Sequence, residues 1–71
     1  MSRQIRVTSL KGRDTTWVAG YGSRELIVTC GGKPMWSNRQ RAWMTSRKVG
    51  ADVVAMAERD GYDVSLELVS R

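Results

Sequence analysis

The sequence predicts an α+β domain: a small antiparallel sheet, in the order β-β-β-(β)-α-β, with one helix packed on one face. Three observations predict it. Near the start, Ile5 and Val7 alternate with Arg6 and Thr8, the period of two that a half-buried strand imposes. Near the end, Tyr62, Val64, Leu66 and Leu68 share one parity, with Asp63, Ser65, Glu67 and Val69 on the other. Between them, Val49, Val53, Met56 and Ala57 fall at i, i+4, i+7 and i+8, one stripe of a helix.

The elements follow in order. Arg3 to Leu10 reads as the first strand, and Lys11-Gly12-Arg13-Asp14 as a hairpin loop in which glycine supplies a positive φ. Thr15 to Ala19, rich in β-branched and aromatic residues, reads as the second strand. Gly20-Tyr21-Gly22-Ser23 is a turn, and Glu25 to Cys30 reads as a third strand. Gly31-Gly32-Lys33-Pro34 ends it, since proline cannot donate to a ladder. Two readings fit residues 35–44: short strands at Met35-Trp36 and Ala42-Trp43-Met44 around a polar loop, or a helix beginning near Ser37. Strands are preferred. Thr45-Ser46 is a good N-cap, and Gly61 stands where a C′ glycine belongs, so the helix spans about 46–60. The expected core is Ile5, Val7, Trp17, Leu26, Val28, Met44, Val49, Val53, Met56, Val64, Leu66 and Leu68. Strand alternation then turns Val18 and Ile27 to the opposite face, where Leu10 and Val69 can join them as an open apolar patch.

Composition narrows the chemistry. Seventy-one residues make one domain, and a chain this short buries only about 60% of its unfolded surface. One cysteine, Cys30, allows no internal disulfide. Histidine is absent, so the usual base for serine or cysteine nucleophiles is missing and a zinc set cannot be assembled. No phosphate-loop or dinucleotide glycine motif occurs; Gly20-x-Gly22 and Gly31-Gly32 read as turn glycines. Cys30 ends a predicted strand and reads as buried rather than reactive. The expectation is a non-enzyme with no cofactor and no metal. The charged N-terminus does not resemble a signal peptide, no apolar run is long enough to span a bilayer, and a lone thiol fits a reducing compartment. A cytoplasmic protein without a membrane partner is expected.

The net charge is +5 and is unevenly placed. Residues 1–48 hold ten of the twelve Lys and Arg against Asp14 and Glu25, whereas residues 49–71 hold five acids against Arg59 and Arg71. Such asymmetry suggests a basic surface for an anionic partner, although a modest positive charge also serves solubility. One segment concentrates it. Residues 33–48 carry Lys33, Arg39, Arg41, Arg47 and Lys48, both Trp36 and Trp43, and no acid. Cations neutralise phosphates, aromatic rings stack on bases, and Asn38 and Gln40 have the groups that read base edges. The competing reading makes each tryptophan a core residue. The segment ends at a predicted helix N-terminus bearing Arg47 and Lys48, where acids would be favoured. With the Thr45 and Ser46 hydroxyls, that end has the makings of an anion site.

Arginine outnumbers lysine nine to three, phenylalanine is absent, and Trp43-Met44-Thr45-Ser46 precedes an Ala/Val-rich helix. In this style the chain resembles small uncharacterised proteins of actinobacteria and their phages. The resemblance implies a host-directed or DNA-directed accessory role and assigns no residue. Two expectations result. One is a small basic nucleic-acid-binding accessory protein using Lys33, Trp36, Arg39, Arg41, Trp43, Thr45, Ser46, Arg47 and Lys48. The other is a phage- or host-type module that binds a host protein through a sheet face at Val18 and Ile27, or through a sheet edge, with a homodimer as one form.

Overall fold

The structure, a computed structural model, describes residues 3–69. In chain order the elements are β1 (Gln4–Leu10), β2 (Thr15–Gly20), α1 (Ser23–Thr29), β3 (Met35–Ser37), β4 (Ala42–Ser46), α2 (Arg47–Arg59) and β5 (Asp63–Val69). The strands form one sheet in the order β3-β4-β2-β1-β5. The α+β class is as expected, and so are the short strands of the 35–44 region. The sheet is mixed rather than wholly antiparallel, because β5 pairs with β1 in parallel while every other pair is antiparallel. Crossing back through α2 makes β5 run in the same direction as β4, with β2 and β1 between them.

Residues 25–30 are a correction. They lie in or just after α1, not in a third strand. Leu26-Ile27-Val28-Thr29 has the β-branched character of a strand, yet Ser23, Leu26, Ile27 and Cys30 recur at i, i+3, i+4 and i+7 and turn inward together. The glycines assigned to turns close this helix. Gly31, at φ 88°, donates to the Val28 carbonyl, and Gly32 donates to that of Ile27 at 2.9 Å. These two bonds satisfy carbonyls the helix end would leave orphaned, the Schellman arrangement. The second helix ends the same way, with Gly61 bonded to Glu58 and Tyr62 to Ala57.

Both helices cover one face of the sheet. Ile5, Val7, Val18, Leu26, Ile27, Val53 and Ala57 form one buried cluster, against which Cys30, Trp43, Val49, Val54, Met56, Tyr62 and Val64 pack. The facing of β2 is the reverse of the expected one. The ladder sets Val18 beside Val7 and Trp17 beside Thr8, so Thr16 and Val18 lie under the helices and Trp17 faces the uncovered side. Val18 and Ile27 are therefore fully buried and form no exposed patch. Three other expected core residues are exposed: Val28 on the outer side of α1 (51%), and Leu66 (66%) and Leu68 (60%) on β5. The leucines do sit on the helix side, in register with Val7 and Ser9, but neither helix reaches over them. Met44 is half-buried on the uncovered face, paired with Trp17. α2 meets the sheet closely at Gly50, where a Cβ would come within 2.7 Å of Thr16 Cγ2.

Candidate nucleic-acid interface

The hairpin of β3 and β4 runs directly into α2, so the acid-free segment becomes two strands, their turn and one helix start. Ser46 caps that start, its Oγ accepting from the Val49 N–H at 3.2 Å. The Arg47 N–H donates both to the Asp14 carbonyl at 3.1 Å and to Asp14 Oδ1 at 3.2 Å. Asp14 comes from the β1–β2 turn, 33 positions earlier. It supplies the negative charge that the positive end of α2 lacks in its own first turn. The anion site expected from Thr45, Ser46 and the free amides is thus already partly filled by the protein. Thr45 is half-buried on the helix side, close enough to Gly32 that a Cβ there would meet its hydroxyl at 2.9 Å.

Strand directions sort the cations. The C-terminal end of β1 and the N-terminal ends of β2, β3 and α2 all lie at one end of the sheet. That end carries Lys11 and Arg13 in the β1–β2 turn, Lys33 before β3, and Arg47 and Lys48 in the first turn of α2. Asp14, Lys33, Met35, Met44 and Ser46 line a shallow hollow there. The β3–β4 turn holds Arg39 and Arg41 at the opposite end, about 20 Å from Arg47 at about 3.4 Å per residue. Contiguous with Lys33, Arg47 and Lys48 in sequence, they are separated from them in space by the length of the hairpin. Arg41 adopts φ 52°, the one non-glycine among the described residues in the left-handed region.

Trp36 and Trp43 face each other across the hairpin with ring centroids 5.1 Å apart and planes at 66°, an edge-to-face pair. Trp43 packs against the core, with the Arg24 guanidinium 5.9 Å from its ring centre. Trp36 is half exposed, and its Nε1 donates to Asn38 Oδ1 at 2.8 Å. Of the two rings, Trp36 is the one with surface available to a ligand. At the far end Arg3 and Arg24 have other engagements. The Arg3 guanidinium lies 5.3 Å from the Tyr21 ring centre and 5.7 Å from that of Tyr62, and Arg24 pairs with Glu25 at 3.8 Å.

Trp17 Nε1 is buried with no hydrogen-bond partner, beneath a groove on the uncovered face lined by Arg6, Thr8, Gln40 and Glu67. The Cys30 thiol is half-buried and pushed above its ordinary value of 9.0, first by burial and then by the negative charge of Asp52, so it stays protonated at neutral pH. No helix among the described residues is long and apolar enough to cross a membrane. No known family, curated protein or solved structure matches the chain.

Proposed function

We propose that the protein is a small basic nucleic-acid-binding accessory protein that grips phosphates with the end of the sheet where α2 begins. The observation that carries this reading is that Lys11, Arg13, Lys33, Arg47 and Lys48 all fall at the end of the sheet where Asp14 is engaged with the Arg47 backbone N–H. Cations in that setting release counterions when they meet a polyanion. The β3–β4 hairpin extends the surface: Lys33 at one end, the half-exposed Trp36 in the middle, Arg39 and Arg41 at the tip. Charge, ring and charge along one strand edge suit a single strand whose backbone is tracked while a base stacks on Trp36.

Fluorescence anisotropy with labelled single-stranded and duplex oligonucleotides tests this. Four phosphate contacts give a log–log salt slope of about −2.8 on a single strand and about −3.6 on duplex. Arg47→Ala with Lys48→Ala should flatten the slope by about two phosphate equivalents and leave folding intact, since it removes cations from a positive helix end. Trp36→Ala should weaken single-strand binding by about 1–3 kcal/mol without unfolding the exposed hairpin edge. No binding at micromolar protein and low salt ends this reading. Binding indifferent to the double substitution moves the site elsewhere.

A further inference from the structure

We propose that two copies of the chain join through β5, antiparallel and centred on Leu66, to make one continuous ten-stranded sheet. The proposal is independent of the nucleic-acid reading and uses the opposite edge of the sheet. β5 is a seven-residue terminal strand with Leu66 and Leu68 exposed on its helix side. Long apolar edges of this kind are usually shortened, charged or covered.

The backbone of that edge is available for pairing. The Asp63 N–H bonds to the Arg3 carbonyl at 2.7 Å, and the Val69 carbonyl accepts from Lys11 at 2.9 Å. In a parallel ladder a residue turns its N–H and its carbonyl to the same neighbour, and successive residues alternate. Asp63, Ser65, Glu67 and Val69 therefore bond to β1, and Val64, Leu66 and Leu68 point their N–H and carbonyl groups outward. Three residues in each copy can thus exchange six hydrogen bonds across a twofold axis.

Charge selects the register and the partner. Centring on Ser65 sets Glu67 against Asp63 twice, and centring on Glu67 sets that carboxylate against itself; like charges directly opposite destabilise. Centring on Leu66 pairs Leu66 with its own copy, Val64 with Leu68, Ser65 with Glu67 and Asp63 with Val69. All seven residues are matched and no like charges meet. Ser65 stands beside Arg6 on β1, so Glu67 of the second copy reaches over a small side chain toward that guanidinium. Within one copy Arg6 makes no ion pair among the described residues, where Arg24–Glu25 is the pair found. The strand is complementary to itself, which commits the edge to a second copy rather than to an unrelated strand.

Sedimentation equilibrium on the full chain should show a concentration-dependent dimer. Leu66→Lys, at an exposed position, should abolish it with an unchanged circular dichroism spectrum. Ser65→Glu, which places a carboxylate opposite Glu67 twice, should weaken it about tenfold. The register is read separately. Facing residues in a hydrogen-bonded antiparallel pair have Cα atoms about 5.5 Å apart, within disulfide range. In a Cys30→Ser background, Leu66→Cys should therefore oxidise to a covalent dimer, and Glu67→Cys, which faces Ser65, should not. A monomer at every concentration up to the millimolar range, or a dimer indifferent to Leu66→Lys, overturns the proposal. Cross-linking through Glu67→Cys as fast as through Leu66→Cys overturns its register.

Discussion

Asp14 changes the meaning of the residues around it. An isolated first turn bearing Arg47 and Lys48 violates the electrostatics of a helix start, and in the sequence it reads as an invitation to an external anion. Folding brings an internal carboxylate to the same place, from 33 positions away. The acid-free stretch was legible because it is contiguous. Its neutralising partner was not, because nothing in residues 33–48 encodes a contact made through strand pairing. Asp14 therefore both anchors the helix and tempers the basic end. Asp14→Ala should cost about 0.5–2 kcal/mol of stability through loss of the acceptor at the helix end. Under the proposed function it should tighten oligonucleotide binding at low salt. Asp14→Asn should retain most of the stability while still tightening binding. Denaturant titration and anisotropy on the two variants separate these effects, and tightening by neither would detach Asp14 from the ligand surface.

At the scale of elements, the legible ones have unmixed periodicities. The start of β1, the stripe and Gly61 of α2, and the parity of β5 are each written in a few consecutive positions. α1 was not legible, because its seven residues are too few to establish a helical period against the strand preference of Ile27, Val28 and Thr29. Counting Ser23 and Cys30 as inward positions, and reading Gly31-Gly32 as a helix stop, would have recovered it. Facing depends on register, which alternation inside β2 cannot fix: Thr16-Trp17-Val18-Ala19 offers an apolar residue to either side. β5 shows a third kind of gap, since its parity was right and its burial was not. The helical identity of residues 23–29 makes a sharp prediction. Val28→Lys on the outer side of α1 should change stability by no more than about 0.5 kcal/mol. Ile27→Ala, in the fully buried position beside it, should cost about 2–5 kcal/mol. Equal losses at the two positions in chemical denaturation would contradict the placement of α1.

Across the whole molecule, charge and topology divide the surface into regions with different uses. One end of the sheet is cationic, the other sets Arg3 and Arg24 against aromatic rings and Glu25, and the β5 edge is apolar with an unused ladder. The parallel pairing of β1 with β5 has a consequence for how the chain comes to be folded at all. Every rung of that ladder, from Gln4 with Asp63 to Leu10 with Val69, joins residues 59 apart in sequence. β1 is thus placed inside the sheet by the last of the five strands in chain order, and the loop to be closed takes in nearly everything between. Non-local closure of this kind slows folding, into the millisecond-to-second range for sheet-dominated domains. During synthesis β1 and β2 are made well before β5, the strand that flanks β1 on its other side, and a two-stranded hairpin alone is only marginally stable. Nascent chains stalled after residue 60 has cleared the tunnel should remain open to protease, and chains stalled after residue 69 has cleared it should become resistant. Resistance already present at the earlier stall would mean that β1, β2, β4 and the two helices hold together without their final strand.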